Sequence, residues 1–331
     1  DCHTHLAFGG WREDEFEMRS LGRTYQDIAR SGGGIMNTVR RTREATEDEL
    51  FERSLGFIHE MLRLGVTTVE CKSGYGLTTE EELKLLRVYR RLQARTRMEI
   101  VPTLLAAHTF PPESSRDEYV DLICEEIIPR SAGLAEFCDV FLEEGAFSGA
   151  EAERVLSAGM KYGLKAKIHA DQLTDSGGAE LAARVHAVSA DHLEYASGEG
   201  IRSMAEAGVT AVNLPIATLY LQQKPFDARA FIGEGVAVAV ASDFNPGSAP
   251  SYHLPLAMTL ACIMTGMAPA EALKGATIYG ARACGREHVV GSLEPGKRAN
   301  FILIDAPSVN HWIYHFRGSA VTATYLNGER I

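Results

Sequence analysis

The stretch Gly235-Val-Ala-Val-Ala-Val-Ala-Ser-Asp243 is an unbroken apolar run that ends on a carboxylate. It is far too short to cross a bilayer, which takes about 20 apolar residues. A run without polar alternation suits a parallel strand covered on both faces. Similar strand candidates recur at Val66–Lys72, Glu99–Ala107, Val140–Glu144, Leu164–His169, Ala187–His192 and Thr210–Pro215. Val236–Asp243 is the last of them, and the short Cys2–His5 segment makes eight. Amphipathic segments lie between them. Glu47–Leu64 places Leu50, Phe51, Leu55, Ile58, Met61 and Leu62 close to helical spacing. Thr79–Leu92, Asp117–Ile128, Ala150–Tyr162, Gly178–Val185 and Glu199–Ala207 are further helix candidates. Thr46 and Thr78, each followed by acidic residues, read as N-caps. Eight such β–α units predict a (β/α)8 TIM-like barrel over residues 1–288, in the α/β class. A doubly wound sheet competes, but no G-x-G-x-x-G follows a strand.

After a predicted helix at Ala268–Cys284 the pattern changes. Residues 289–331 show short strands and the turn pairs Pro295-Gly296 and Asn327-Gly328, which predict a small β-domain. The bulk properties narrow the function classes. The net charge of −11 argues against nucleic-acid and anionic-membrane partners. The six cysteines form no C-x-x-C pair, so they read as reduced thiols of a cytoplasmic protein. No signal peptide is recognised.

The chemistry gathers at the ends of the strands. In Asp1-Cys-His-Thr-His5, alternation along an extended chain aims His3 and His5 the same way. His169, His192 and Asp243 each end an apolar run. In a (β/α)8 barrel those ends meet at one mouth, where catalysis is built. One buried histidine is ordinary core, but this set predicts a metal site. Neutral imidazoles with one carboxylate suit Zn2+ or Fe2+, and an open coordination position suits hydrolysis. Asp243 is placed both to bind the metal and to accept a proton.

The constellation resembles the amidohydrolase superfamily. Gly291-Ser-Leu-Glu-Pro-Gly-Lys-Arg-Ala-Asn-Phe-Ile-Leu-Ile-Asp305 looks like that superfamily's return into a composite β-domain built from both chain ends. Three stretches are similar to the imidazolonepropionase family in particular. They are Asp1–Gly10 with Arg12, Glu70-Cys-Lys-Ser-Gly-Tyr-Gly-Leu77 and Ser242-Asp-Phe-Asn-Pro-Gly-Ser248. The resemblance spans essentially the whole chain. It implies hydrolysis of the cyclic amide of 4-imidazolone-5-propanoate to N-formimino-L-glutamate, the third step of histidine degradation. It implies one divalent metal, Zn2+ or Fe2+, held by His3, His5, His169 and Asp243. His192 would orient or deprotonate water and serve catalysis with Asp243. Arg12 would hold the propanoate carboxylate, and Tyr75, His108, Gln172, Asn245, Gly247 and Ser248 would contact substrate or product. A homodimer follows from the resemblance alone.

Plain readings stand beside these. Arg12 lies among Glu13, Asp14 and Glu15, as a solvated charge would. The glycines around Tyr75 and the Asn245-Pro-Gly247 sequence are ordinary turn material. Gly32-Gly-Gly34 reads as a loop or lid, because no Lys-Ser/Thr follows it as in a phosphate loop. Gln172 stands three residues after His169, where many single-metal deaminases of the superfamily carry a proton-shuttling Glu. An amide cannot exchange a proton at neutral pH. Phe141-Leu-Glu-Glu144 offers no lysine for the carbamate of two-metal relatives, which argues for one metal, and Glu143 and Glu144 read as structural. The alternatives are another single-metal amidohydrolase or deaminase acting on an anionic cyclic amide or amidine, and a non-catalytic metal-binding protein. The resemblance also implies a preceding segment that completes the β-domain. Without it, residues 289–331 are expected to lack partners, and this chain alone to be poorly soluble or metal-poor.

Overall fold

A computed structural model of the protein describes residues 1–23 and 32–331. Seven parallel strands run in chain order through one sheet: β1 (Thr68–Lys72), β2 (Glu99–Ala107), β3 (Phe137–Leu142), β4 (Lys165–Ala170), β5 (Ser189–His192), β6 (Thr210–Asn213) and β7 (Val238–Val240). Helices between them cover the outside. The segment Asp1–His5 fills the gap between the sheet's two edges. On one side Glu70 and Lys72 donate their backbone N–H groups to the carbonyls of Asp1 and Thr4. On the other, His5 donates to Phe244 and Asp243 donates to His3. The sheet is thereby curled round into the predicted TIM-like barrel, and its C-terminal edge is one mouth.

Three details correct the expected boundaries. Cys2–His5 is not a regular strand; its ladder is a single bridge between Thr4 and Phe244. The last strand is only Val238–Val240, because the chain turns at its end to pair with residues 3 and 5. The strand expected at Val140–Glu144 begins at Phe137, where it pairs with Lys165. The helix expected over Asp117–Ile128 contains a π-helical turn at Ile123–Ile127, and that over Ala268–Cys284 another at Gly275–Tyr279. Gly275 permits a close approach: a Cβ there would lie 2.9 Å from Cγ2 of Val240. Thr46 forms a full capping box with Glu49, and Thr78 accepts from the N–H of Glu81.

The barrel's outer face is apolar, as expected of helix-covered strands, but its interior is not. Alternate residues of each strand point inward. On β1 these are Glu70 and Lys72, on β4 Lys167 and His169, on β5 Ser189 and Asp191, and all are almost fully buried. With Asp139 of β3 they form one network. Lys72 Nζ lies 2.9 Å from Glu70, 2.7 Å from Asp139 and 3.2 Å from Asp191. Lys167 Nζ reaches the other oxygen of Glu70 at 2.6 Å. Burial works against the Lys72 ammonium, but the surrounding carboxylates hold its pKa well above the usual range.

Residues 301–331 contribute a three-stranded antiparallel sheet in the order β10 (Glu329–Arg330), β9 (Val321–Leu326), β8 (Phe301–Ile304). The β9–β10 turn is Asn327-Gly328, with φ of +52° and +80°, a left-handed pair suited to a tight hairpin. Thr324 ties the sheet to the barrel through the carbonyl of Leu62. An apolar groove of about 510 Å³ separates the two, lined by Leu64, Leu254, Phe301 and Trp312 among others. It contains none of the predicted metal-binding residues.

Candidate metal centre

His3 and His5 enter the mouth from the closing segment, His169 from the end of β4 and His192 from the end of β5. Asp243 follows β7. In parallel register His169 lies opposite Asp191 and Ala170 opposite His192, so neighbouring strands deliver their ends at one level. The chain then bends sharply. His192, Leu193 and Asp243 have φ of +79°, +68° and +55°, a left-handed region that side chains other than glycine rarely occupy. Such strain concentrates where structure serves a site.

The five side chains meet. One ligand-type atom from each of His3, His5 and His169 lies within 4.8 Å of the other two, and the same holds for His3, His192 and Asp243. Asp243 Oδ1 is 3.2 Å from His3 Nε2 and 3.6 Å from His5 Nε2. Each of the five is at most 3% exposed. His3 Nε2, His5 Nδ1, both ring nitrogens of His169 and Nδ1 of His192 are buried and make no hydrogen bond, although Asp139 Oδ2 stands close to His169 Nδ1. His3 Nδ1 lies 2.7 Å from Asp191 Oδ2. A proton there leaves Nε2 with a lone pair that faces a carboxylate oxygen. Two acceptors at that distance require a cation or a proton between them, so the donor set fits a divalent metal. Burial, with Lys72 and the neighbouring imidazoles, pushes the pKa values of His3 and His169 well below the usual range. The rings are therefore neutral, as metal ligands must be.

Supporting groups stand one layer deeper. Asp191 serves His3, and Asp139 Oδ2 lies 3.1 Å from His169 Nδ1. Lys72 joins both carboxylates. Sequence reasoning missed this layer, because the charged alternation in Glu70-Cys-Lys72 and Lys165-Ala-Lys-Ile-His169 reads equally as strands with one solvated face.

The other expected residues fall into four groups. Tyr75 and His108 border the centre, with His108 stacked on His5 at 4.9 Å and Tyr75 5.7 Å from it. Gln172 sits half-buried in the bend after β4, held by its neighbours: Glu143 accepts from Leu173 N and Thr174 Oγ1, and Asp171 accepts from the N–H groups of Ser176, Gly178 and Ala179. Glu143 is thus a loop anchor, as expected. Asn245, Gly247 and Ser248 form one turn braced by the Asn245 side chain. Asn245 Oδ1 accepts from the N–H groups of Gly247 and Ser248, and its amide donates to Asp243 O and Ser248 Oγ. Arg12 is half-buried, not solvated, and borders a depression of about 470 Å³ with Trp11, Phe16, Tyr220, Pro246 and Pro250. The Gly32-Gly-Gly34 stretch leads into the helix Ile35–Glu44, with Gly34 at its N-cap.

A buried His/Asp cluster at the mouth of a TIM-like barrel defines a metal-dependent hydrolase architecture, and this chain belongs to the amidohydrolase family, whose sequence model matches residues 1–331. Among curated relatives, the imidazolonepropionase of Geobacillus kaustophilus is 50% identical over all of this chain and 79% of its own length. That of Symbiobacterium thermophilum is 48% identical, with the same coverage of each chain. The solved N-isopropylammelide isopropylaminohydrolase of Burkholderia multivorans superposes with a TM-score of 0.72 over 100% of this chain and 84% of its own, at 18% identity. A zinc-bound adenosine deaminase of Xanthomonas campestris gives 0.67 over 86% of this chain and 70% of its own, at 22% identity. At those identities the two structures attest the fold alone.

Proposed function

We propose that this protein is an imidazolonepropionase, hydrolysing the ring amide of 4-imidazolone-5-propanoate to N-formimino-L-glutamate in histidine degradation. The observation that carries the substrate is identity of up to 50% along the whole chain to relatives of that name. The observation that carries the chemistry is the set of buried, unpaired imidazole nitrogens around Asp243.

His3, His5, His169 and Asp243 would hold one divalent metal, zinc or iron, which supplies Lewis acidity that activates water near neutral pH and polarises the ring carbonyl. Water adds to the carbonyl carbon, the bond to the ring nitrogen breaks, and that nitrogen takes a proton. Asp243 accepts the water's proton at a carboxylate oxygen. His192, whose pKa burial lowers to about 4, enters as a neutral base and orients the water through Nδ1. Gln172 offers its amide to the ring but no exchangeable proton. Tyr75 and His108 form the wall beside His5. Arg12 holds the propanoate carboxylate by charge-assisted hydrogen bonds. Asn245, Gly247 and Ser248 bound the product side. Residues 1–288 form the catalytic barrel and 289–331 contribute to the small β-domain. No described helix is long and apolar enough to cross a membrane. A cytoplasmic location and a homodimer belong to the same reading.

Mass analysis tests the reaction. The product should weigh one water more than the substrate and carry 18O in its new carboxylate when made in labelled water. Unchanged substrate, or a product without the label, would exclude hydrolysis at this ring.

A further inference from the structure

Glu15 is a carboxylate that this mechanism does not use. It lies on the helix Glu13–Ser20, whose neighbours Glu13, Asp14 and Glu17 are exposed, yet it is itself 3% exposed. Its Oε2 accepts from Arg12 Nε at 2.9 Å and from Arg12 Nη2 at 2.6 Å. Its Oε1 accepts from the backbone N–H of Gly34 at 2.9 Å. Arg19 Nη2 stands 3.7 Å from Oε2 and donates to the carbonyl of Gly247. Gly247 closes the arrangement: a Cβ there would fall 2.2 Å from Arg12 Nη1.

A guanidinium has five N–H groups on a rigid plane. Glu15 takes the side formed by Nε and Nη2. The far edge, with one proton on Nη2 and two on Nη1, keeps a fork that matches a second carboxylate. We propose that Glu15, with the missing side chain of Gly247, is the positioning device that presents this edge of Arg12 to the anionic arm of the substrate, and so sets the enzyme's preference for a carboxylate-bearing ring. The inference rests on the assignment of Arg12 in the proposed function. It deepens that assignment, because an arginine left to rotate would have to be ordered at each binding event. Ordering one such side chain lowers affinity by about three- to tenfold. Glu15 places Arg12 in advance. Lysine at position 12 would lack the planar fork that pairs two oxygens of each carboxylate at once.

The test compares two substrates in Glu15→Gln and Glu15→Ala: 4-imidazolone-5-propanoate, and 4-imidazolone without the propanoate arm. Glu15→Gln keeps the shape and one acceptor oxygen. KM for the propanoate substrate should rise about threefold in Glu15→Gln and about tenfold in Glu15→Ala, with kcat and metal content unchanged. Kinetics on the armless ring should not move. Gly247→Ala, which crowds Arg12 without altering Glu15, should also raise KM for the propanoate substrate. Equal losses on both rings in the two Glu15 variants would show a merely structural role and overturn the inference. So would unchanged KM for the propanoate substrate in both, while the wild type turns it over. Absence of wild-type turnover on either ring would overturn the proposed function, and this inference with it.

Discussion

Asp191 and His3, 188 positions apart in the chain, are joined by a 2.7 Å contact between Oδ2 and Nδ1, both atoms buried. The contact fixes which nitrogen of His3 faces the centre. It also links the site to the charge network below, since the same Oδ2 lies 3.2 Å from Lys72 Nζ. Asp191→Asn leaves the shape but removes the anion that orients the ring. Metal affinity should fall by about 10- to 100-fold, as for other carboxylates behind metal-binding histidines. Competition with a chelator measures it, and wild-type affinity would remove Asp191 from the account.

Lys72 should matter to stability more than to chemistry. It is the cation among Glu70, Asp139 and Asp191, all fully buried. Lys72→Met leaves three carboxylates with only Lys167 and should cost about 3–5 kcal/mol. Urea unfolding monitored by circular dichroism gives the value. A loss below about 1 kcal/mol would mean that the carboxylates take up protons without strain.

The barrel was legible because parallel strands covered by helices announce themselves as apolar runs, and because Asp243, His169 and His192 close those runs. Glu99–Ala107 appears at its expected bounds. The inner charge network was not legible. A lysine in a strand is ordinarily a surface residue, and only closure of the sheet turns Lys72 and Lys167 toward Asp139 and Asp191. The role of Glu15 was hidden for a similar reason. It stands in an acidic cluster that reads as solvated, and its burial depends on Gly34 and on a guanidinium whose place depends on Gly247. Helix Glu13–Ser20 was missed because most of its face is charged and its packing is supplied by distant loops.

Removing Arg12 tests the carboxylate clamp. Arg12→Ala should lower kcat/KM for the propanoate substrate by about 10- to 150-fold, the worth of hydrogen bonds to a charged group. Steady-state kinetics reads it. An unchanged value would leave Arg12 as a partner of Glu15 alone.

Acid should weaken the Arg12–Glu15 pair in a defined direction. Burial raises the Glu15 carboxyl pKa, but hydrogen bonds from Arg12, its charge and the Gly34 N–H outweigh this and leave it below the usual value. A group whose pKa is lowered on folding contributes stability above its unfolded pKa, near 4.5, and loses it as pH falls through the folded value. The melting temperature of the wild type should therefore drop more steeply below about pH 4.5 than that of Glu15→Gln. Parallel curves would show that Glu15 is not ionised in the pair.

Metal-dependent hydrolysis is read from the loss of imidazolone ultraviolet absorbance on adding purified protein, together with its metal content before and after chelation. About one metal per chain is expected, with turnover that stops when the metal is stripped and returns when zinc or iron is restored, and neither metal nor turnover in His169→Ala. Turnover that persists in metal-free protein, or in His169→Ala, would contradict metal-dependent hydrolysis.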